Sequence, residues 1–535
     1  MSYASNTLLI YLSYFSSFTS PASSGRIARY DLQSTRQFFF SFCSEGSTAR
    51  IIASFIAAHV YGESFRQETQ TGPAMLKKLF KPFRLSRQRK EPKPMQPTIL
   101  DAHEHRIDCA HFSRNSANVA VRLQQAGFEA YLVGGCVRDS LLGVTPKDFD
   151  VATSATPEQV RYEFRNSRII GRRFKLVHVH FGRELIEVAT FRSNHSQDDE
   201  QNNSDISSHD ASGRILRDNV YGNIEDDAQR RDFTINALYF DVSNEKILDY
   251  STGFADIKRR LIRLIGDPEQ RYLEDPVRML RAIRFAAKLD FDIEDDTAEP
   301  IRRLAHLLRD IPAARLYEEV LKLFLSGYAV RTYELLREYD LFEQLFPATA
   351  KALAKQPEYV DRLLRNAFKN TDHRISIDRP VTPAFLFAAL LWPALTSRAI
   401  RLQNDGMHPL PAMQEAAHQV LLEQVQRIAI PKRFSLPTRE IWDMQERLPR
   451  RTGKRADTLL ANPRFRAGYD FLLLREESGE QTQGLGDWWT DYQDASDSQR
   501  REMISNLSSK SGAPRKRRRS KPRSKNPALT AQSDA

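Results

Sequence analysis

The spacing of apolar side chains divides the chain into a part with the alternation typical of strands and a part with the three-to-four-residue spacing typical of helices. Between residues 111 and 252, brief apolar runs separated by polar turns predict strands, because a strand with one buried face buries every second side chain. The predicted strands are 130–133, 149–152, 176–181, 185–191, 237–242 and 246–250. After Gly253, apolar residues recur three and four positions apart to about residue 475, which indicates helices. The pattern predicts an α+β protein with a small mixed sheet followed by helices.

The same pattern predicts where the domains begin and end. We expect five segments: an N-terminal extension and linker at 1–110, a head at 111–252, a first helical domain at 253–315, a second helical domain at 316–475 and a basic C-terminal tail at 476–535. Both termini lack periodicity and are expected to be disordered, and Met75 is a candidate start of translation. Within the head, the polar residues 193–213 are expected to form a disordered insertion.

Composition and charge limit the class of partner. The chain has 535 residues, 41% of them hydrophobic, and a formal net charge of +11. This excess of positive charge favours a polyanion, either a nucleic acid or an acidic membrane surface. The sequence contains no run of 18 apolar residues, so no membrane-spanning helix is predicted. Its three cysteines lack the spacing of a disulfide framework or a zinc site, which favours the cytoplasm.

Two aspartates flank Phe149 on a predicted strand. Side chains two residues apart on a strand point to the same face, so Asp148 and Asp150 are expected to lie together. Adjacent carboxylates repel each other unless a cation neutralises them. Oxygen ligands at this spacing suit Mg²⁺. Glu187 interrupts the apolar run 185–190 and is a candidate third carboxylate, although an outward-facing sheet glutamate fits its pattern equally well.

Glycines and cations upstream and downstream of the aspartates are candidate phosphate ligands. Gly134 and Gly135 follow a predicted strand, where backbone amides can approach a phosphate, and Arg138 adds a charge-assisted contact. Two later segments repeat this mixture of charges. Their candidate residues are Arg230, Arg231, Asp232 and Asn236 before a strand, and Asp275, Arg278 and Arg281 at the beginning of a helix. Taken singly, these segments are equally typical of a strand–helix turn, a solvated end of a strand and a salt-bridged helix.

Taken together, four segments resemble the class II nucleotidyltransferases, the family of bacterial poly(A) polymerases and CCA-adding enzymes. They are LVGGCVRDSLLG, KDFDVAT, RRDFTINAL and YLEDPVRMLRAIRFAAKL. The resemblance implies a nucleotidyltransferase palm as the head, followed by helical neck, body and leg. It also implies Mg²⁺ on Asp148 and Asp150, with Asp232 and Glu187 as further catalytic residues. The candidate phosphate ligands named above would then contact ATP, and Asp275 and Arg278 would choose the base.

Three features favour the poly(A) polymerases over the CCA-adding enzymes. Residues 169–179 and the segments IPKRF, RRTGKRA and NPRFRAGYDFLLLR resemble the former, and a basic run near the C-terminus suits a grip on arbitrary RNA. The candidate RNA-binding residues of this run are Arg515, Lys516, Arg517, Arg518, Arg519 and Lys521. The expected activity is template-independent transfer of AMP from ATP to RNA 3′ ends by two-metal catalysis with Mg²⁺, promoting RNA decay. The expected enzyme is a monomer, with RNA-decay proteins as candidate partners.

Other interpretations stay open at the level of sequence. CCA addition to tRNA is one alternative, and a noncatalytic RNA-binding protein is another, although paired carboxylates argue against it. The basic stretch from Lys77 to Lys90 is a candidate membrane-surface anchor that could coexist with catalysis. His178 and His180 alternate on a predicted strand, where sheet-face histidines are favoured over a metal pair.

Overall fold

The computed structural model describes residues 96–171, 175–193, 207–209, 215–218 and 220–510, with the backbone alone for 207–209, 215–218 and 508–510. Contacts divide the chain into two units, 1–91 and 92–535, and every described residue belongs to the second unit. The first predicted segment therefore lies largely outside the described residues, together with Met75 and the stretch from Lys77 to Lys90. The basic run from Arg515 to Lys521 also lies outside them.

The head is built on an eight-stranded mixed sheet with the strand order β1-β10-β9-β2-β3-β6-β5-β4. Its neighbouring strands are antiparallel except β3 and β6, which run parallel. The strands are β1 (Thr98–Leu100), β2 (Ala130–Val133), β3 (Phe149–Thr153), β4 (Ser167–Ile170), β5 (Leu176–Phe181), β6 (Glu184–Thr190), β9 (Leu238–Asp241) and β10 (Lys246–Asp249).

Helices cover one face of this sheet and part of the other. The head helices are α1 (Ala102–His105), α2 (Arg114–Gln125), α3 (Gly135–Leu141), α4 (Pro157–Glu163) and α5 (Ile224–Arg230). Val119 of α2 and Val160 of α4 are buried in one cluster with the inward side chains of β5 and β6. Ile224 and Ala228 of α5 instead pack with Tyr239 in a smaller cluster. Thr156 caps α4 with its hydroxyl, as the Thr-Pro pair predicts.

The remainder of the described chain is mainly helical and shares a continuous apolar core with the head. Its helices are α6 (Gly253–Arg259), α7 (Pro268–Glu274), α8 (Val277–Leu289), α9 (Asp295–Leu304), α10 (Ala313–Phe324), α11 (Ala329–Glu338), α12 (Phe342–Leu345), α13 (Pro347–Lys355), α14 (Pro357–Ser376), α15 (Pro383–Asn404), α16 (Pro409–Arg427), α17 (Lys432–Arg447), α18 (Arg455–Leu460), α19 (Phe465–Glu477), α20 (Leu485–Asp494) and α21 (Asp497–Lys510). The α+β prediction is confirmed.

Two predicted boundaries need correction. The head begins before residue 111, because β1 pairs with β10 along the edge of the sheet. A three-residue strand is too short to show a period, and its pairing partner lies about 150 residues away in sequence, from Thr98 to Asp249. The folded part also continues past residue 475, because Trp489 and Tyr492 of α20 are fully buried against α17 and α19. These aromatic residues bury much area with few apolar positions, so the periodic signal was weak.

The structure also changes two finer predictions. Within the polar insertion, β7 (Ser207–His209) pairs antiparallel with β8 (Ile215–Asp218), which follows the insertion, so 193–213 is not wholly without secondary structure. The first helical domain contains β11 (Leu261–Ile262) and β12 (Asp292–Ile293), which pair in parallel, so it is not all helical. Local sequence patterns do not predict the pairing of two-residue segments that lie far apart in the chain.

One described helix is long and apolar enough to cross a membrane by length and composition alone. It is α15, which has 22 residues, and 67% of its most apolar window is buried inside the protein. Its Trp392 lies in the core against Phe471 of α19, with ring centroids 5.3 Å apart. These contacts are those of a core helix.

Candidate active site

Three carboxylates lie along one part of the sheet, where β3 runs beside β6. Asp150 is the second residue of β3, and its Cα pairs with that of Glu187 across the parallel β3–β6 ladder. Paired residues point to the same face, so Glu187 shares the face of Asp150, a placement that the sequence pattern left open. Phe149 points the other way and is buried in the core, while Asp148 and Asp150 are exposed. We call Asp148, Asp150 and Glu187 the carboxylate edge.

The electrostatics of the carboxylate edge are those of a site that needs a cation. Desolvation and the charges of Glu187 and Asp148 raise the pKa of Asp150 to about 6, against the opposing effect of Arg231. Among described residues, neither Asp148 nor Asp150 forms an ion pair. Nor do any three histidine, cysteine, aspartate or glutamate side chains in the described ranges form a ready metal cluster. Two carboxylates suffice for Mg²⁺ when nucleotide phosphates supply further oxygens.

The turn from β2 to α3 brings the backbone close to this edge. Gly134 has φ +78, a conformation that suits glycine, and it directly precedes α3. A Cβ placed on Gly134 would lie 3.6 Å from Arg231 Nη1 and 3.8 Å from Asp150 Oδ2. The predicted glycine turn, Arg231 and Asp150 are therefore neighbours. The adjacent Cys136 is buried, and its thiol donates to the Val133 carbonyl 3.3 Å away, as expected of a small core side chain.

A continuous chain of polar side chains joins the head to α8. Arg138 is buried, and its guanidinium donates to Asp139 Oδ1 at 2.8 Å and to Asn236 Oδ1 at 2.7 Å. Asn236 donates in turn to Asp232 Oδ1 at 3.2 Å, and Arg281 Nε donates to Asp232 Oδ2 at 2.6 Å. We call these five residues the polar chain. Three predicted ATP ligands and Asp232 are thus engaged with protein partners, and they connect the two domains.

The charge of Asp232 is stabilised by this chain. Burial alone would raise the pKa of its carboxyl. Arg281, the amide of Asn236 and the backbone N–H of Phe233 outweigh burial and hold that pKa below its usual range. At neutral pH the Asp232–Arg281 pair is therefore a charged, partly buried ion pair.

A group of arginines lies near Arg231, the cation that acts on Asp150. Arg271 Nη1 and Arg278 Nη1 both donate to Glu274 Oε2 at 2.8 Å, so two guanidinium groups share one carboxylate. Arg271 Nη2 also donates to the carbonyls of Arg230 and Arg231, each at 2.8 Å. We call Arg192, Arg230, Arg271 and Arg278 the arginine cluster.

The pKa of Arg230 reflects the mutual repulsion within the arginine cluster. Desolvation and the charges of Arg192, Arg271 and Arg278 lower its pKa to about 10. An anion placed among these side chains would offset the repulsion. Arg231 differs, because Tyr239 and Asp227 outweigh burial and raise its pKa. Asp227 lies 3.0 Å from Arg231 Nη2 and fixes its guanidinium.

The proposed base-choosing residues have different surroundings. Asp275 ends α7 and pairs with Arg315 Nη2 of α10 at 2.6 Å, while its Oδ1 accepts from the backbone of Val277. Arg278 is turned toward α7 through Glu274. Asp275 therefore ties α7 to α10, and one face of its carboxylate is already occupied.

Sequence reasoning missed three residues of this region. Arg271 and Arg192 were not singled out, and neither was Asp227, although all three contact or repel predicted site residues. Arg271 stands three residues before Glu274 on one helix, the spacing of an intrahelical ion pair, which would have suggested it. Arg192 and Asp227 have no comparable local signal.

Comparison with known proteins places this geometry in a family. The chain matches the family descriptions "Poly A polymerase head domain" over residues 130–263, "Probable RNA and SrmB- binding site of polymerase A" over 290–353 and "Polymerase A arginine-rich C-terminus" over 405–525. It is 49% identical over 434 residues to the poly(A) polymerase I of Salmonella typhimurium, covering 80% of this chain and 92% of that protein. The poly(A) polymerase I of Escherichia coli O157:H7 is 50% identical over the same shares.

The related tRNA enzymes match less of the chain. A CCA-adding enzyme of Lactobacillus helveticus is 37% identical over 223 residues, which are 42% of this chain and 53% of that protein. A solved CCA-adding enzyme, in its apo form II, superposes with a TM-score of 0.52 at 18% identity and covers 75% of this chain and 88% of that one. That likeness concerns the fold alone.

Proposed function

The chain belongs to the family of bacterial poly(A) polymerases, and we propose that it transfers AMP from ATP to RNA 3′ ends without a template. The observation that carries this proposal is the pairing of Asp150 with Glu187 on an exposed face, next to a glycine turn and Arg231. A protein that only bound RNA would gain nothing from adjacent carboxylates without ion-pair partners, since they would repel the phosphates.

Magnesium fits the carboxylate edge, because the charges of Glu187 and Asp148 raise the pKa of Asp150, and a hard divalent cation stabilises such a group of oxygen ligands. Asp148 and Asp150 would hold it, with Glu187 beside them. When bound, it would lower the pKa of the attacking 3′ hydroxyl and stabilise the leaving pyrophosphate.

The chain's own residues bind and orient the reactants. The arginine cluster accepts the triphosphate, since an anion would offset the repulsion that Arg192, Arg271 and Arg278 exert on Arg230. The Gly134–Gly135 turn admits the phosphates close to the backbone. The polar chain holds the head and α8 in register. Arg138, Asn236 and Arg281 remain proposed ATP ligands, and Asp232 remains a proposed catalytic residue. Asp275 and Arg278 are the proposed base-choosing pair.

The transfer itself joins RNA and nucleotide in one step. The RNA 3′ oxygen forms a bond to the α-phosphorus of ATP, the bond from that phosphorus to the bridging oxygen breaks, and pyrophosphate leaves with the electron pair. The hydroxyl proton passes to water.

The cellular setting is also proposed. Tails added to RNA would promote its decay in the cytoplasm, and the basic run from Arg515 to Lys521 would hold RNA through its phosphates. Contacts with RNA-decay proteins and the monomeric state remain predictions.

The proposal is tested by extending a labelled, unstructured RNA with Mg²⁺ and each nucleoside triphosphate separately. We expect long products with ATP and little product with CTP, GTP or UTP. Addition that stops after three nucleotides, requires CTP and acts on tRNA lacking its CCA end would replace the assignment with the tRNA enzyme. Binding of RNA without any incorporation would support the noncatalytic alternative.

A further inference from the structure

The face of the sheet that carries the carboxylate edge continues across β6, β5 and β4. Successive Cα pairs join Asp150 to Glu187, Glu187 to His178, and His178 to Arg168. These four side chains therefore form one row on one face. Neighbouring strands lie about 4.8 Å apart, so the row extends about 14 Å from Asp150 to Arg168. That length accommodates more than one nucleotide of an extended RNA strand.

The row changes from acidic to basic along its length. Arg168 is exposed and forms no ion pair with a residue in the described ranges. His178 Nε2 lies 3.4 Å from Glu187 Oε1, is shielded from solvent and has no hydrogen-bond partner among the described groups. His180, two residues further on the same face, is exposed, and its ring meets that of His178 edge-on at 6.3 Å.

The opposite face of the same strands is closed. Val177, Val179 and Ile186 point into the core, where Val160 of α4 packs with them. Arg168, His178 and His180 thus have an open face, while α4 covers the reverse. An exposed sheet face with rings and a cation is the arrangement on which single-stranded nucleic acid stacks its bases and rests its phosphates.

We propose that this face of β4–β6 binds the last nucleotides of the RNA primer. The inference rests on the proposed function, because it places the 3′ hydroxyl at the carboxylate edge and the preceding nucleotides along the row. Arg168 contacts a phosphate, His180 stacks on a base, and His178 lies between them and Glu187. Charge complementarity sets the direction, since the RNA phosphates meet Arg168 and the 3′ end meets the carboxylates.

The test compares two variants matched in chemistry. The test variant is Arg168→Ala/His180→Ala, which leaves the contact between His178 and Glu187 in place. The control is Arg161→Ala/Tyr162→Ala, which also removes one exposed cation and one exposed ring, from α4 on the reverse of the sheet. Steady-state extension of a short oligoadenylate gives the KM for RNA, the KM for ATP and kcat for each.

We expect the KM for RNA to rise roughly tenfold in the test variant, the order of one stacked base or one phosphate contact. The KM for ATP is expected to stay within twofold, and the control is expected to match the wild type. An equal rise in both KM values, or an unchanged KM for RNA, would overturn the inference. If the inference fails in this way but the wild type still extends the same RNA with AMP, the proposed function still stands.

A second measurement does not depend on kinetics. A photoreactive uridine at the next-to-last position of the RNA is expected to crosslink to peptides that contain residues 176–181. Crosslinks found only outside β4–β6 would contradict the placement. A wild type that adds no AMP would overturn both proposals together.

Discussion

The carboxylate edge and the arginine cluster are neighbours of opposite charge, and they are held in opposite ways. Asp148 and Asp150 have no ion-pair partner among described residues. Asp150 keeps its place through the register of β3 between β2 and β6, and Asp148 directly precedes β3. The arginines are held by many contacts, with Arg271 alone donating to two carbonyls and to Glu274. The first region is placed by backbone pairing and the second by side-chain hydrogen bonds.

This difference has consequences for mutation. A strand keeps its register when a surface carboxylate becomes an amide, so changes at the carboxylate edge should alter chemistry without altering the fold. A guanidinium that donates several hydrogen bonds contributes both to the chemistry and to the stability of the fold, because its loss leaves carbonyls unpaired. The four predictions below test that contrast, from the largest expected effect to the smallest.

Replacing both aspartates should abolish turnover while leaving the protein folded. For Asp148→Asn/Asp150→Asn we expect kcat to fall at least ~10³-fold, since bound metal contributes several kcal/mol to the transition state. The midpoint of thermal unfolding should stay the same or rise, because two repelling charges are removed. RNA extension and calorimetry measure the two effects. Asp292→Asn/Asp295→Asn, which removes two exposed carboxylates elsewhere, should change neither, and a clear drop in unfolding temperature for the first variant would contradict the contrast.

Breaking the polar chain should mainly lower the free energy of unfolding. Asp232→Asn leaves Arg281 without its charged partner, and we expect a loss of about 2–3 kcal/mol in the free energy of unfolding. Because the folded-state pKa of Asp232 is lowered, its contribution is present above the unfolded pKa and disappears as pH falls through the folded value. Urea unfolding at pH 7 and at acidic pH should therefore show the two proteins converging in acid. Asp232→Asn/Arg281→Met should recover part of the loss, and a constant difference at every pH would exclude the ion pair as its cause.

Weakening the arginine cluster should affect ATP more than RNA. For Arg271→Met we expect the KM for ATP to rise at least roughly tenfold, since charge-assisted hydrogen bonds to phosphate contribute about 1.5–3 kcal/mol. The KM for RNA should change little. Arg303→Ala, an exposed arginine paired with Glu269, is the matched control. A larger effect on RNA than on ATP would assign the cluster to the primer instead.

Removing residues 511–535 should produce the smallest effect. We expect the KM for RNA to rise a few-fold at moderate salt and the salt dependence of RNA binding to become shallower, because fewer counterions are released. Values of kcat and of the KM for ATP should be unchanged. A fluorescence titration across salt concentrations measures the slope, and an unchanged slope would mean that these cations do not contact RNA.

Much of the head followed from local pattern. The strands at 130–133 and 176–181 were predicted at their observed bounds. Alternation of buried and exposed side chains fixes both the strand and the face, so Asp150 and Phe149 were assigned to opposite faces correctly. The family resemblance depended on short motifs in a fixed order, and these too are local.

Contacts between distant segments could not be predicted in this way. Pattern left Glu187 undecided between a site residue and an outward sheet residue, and only the β3–β6 register placed it beside Asp150. The sequence likewise presented Arg138, Asn236 and Arg281 as candidate ATP ligands, and only the structure shows that each also has a hydrogen-bond partner from another element or loop.

By itself, the sequence determined the class of fold, the order of its elements and the residues that carry charge, because periodicity and composition act over a few neighbouring positions. The tertiary structure decided which of these charged side chains have partners from other segments of the protein. Whether a carboxylate or guanidinium gains a hydrogen-bond partner from elsewhere in the chain depends on packing between segments as distant as those of Arg138 and Asn236.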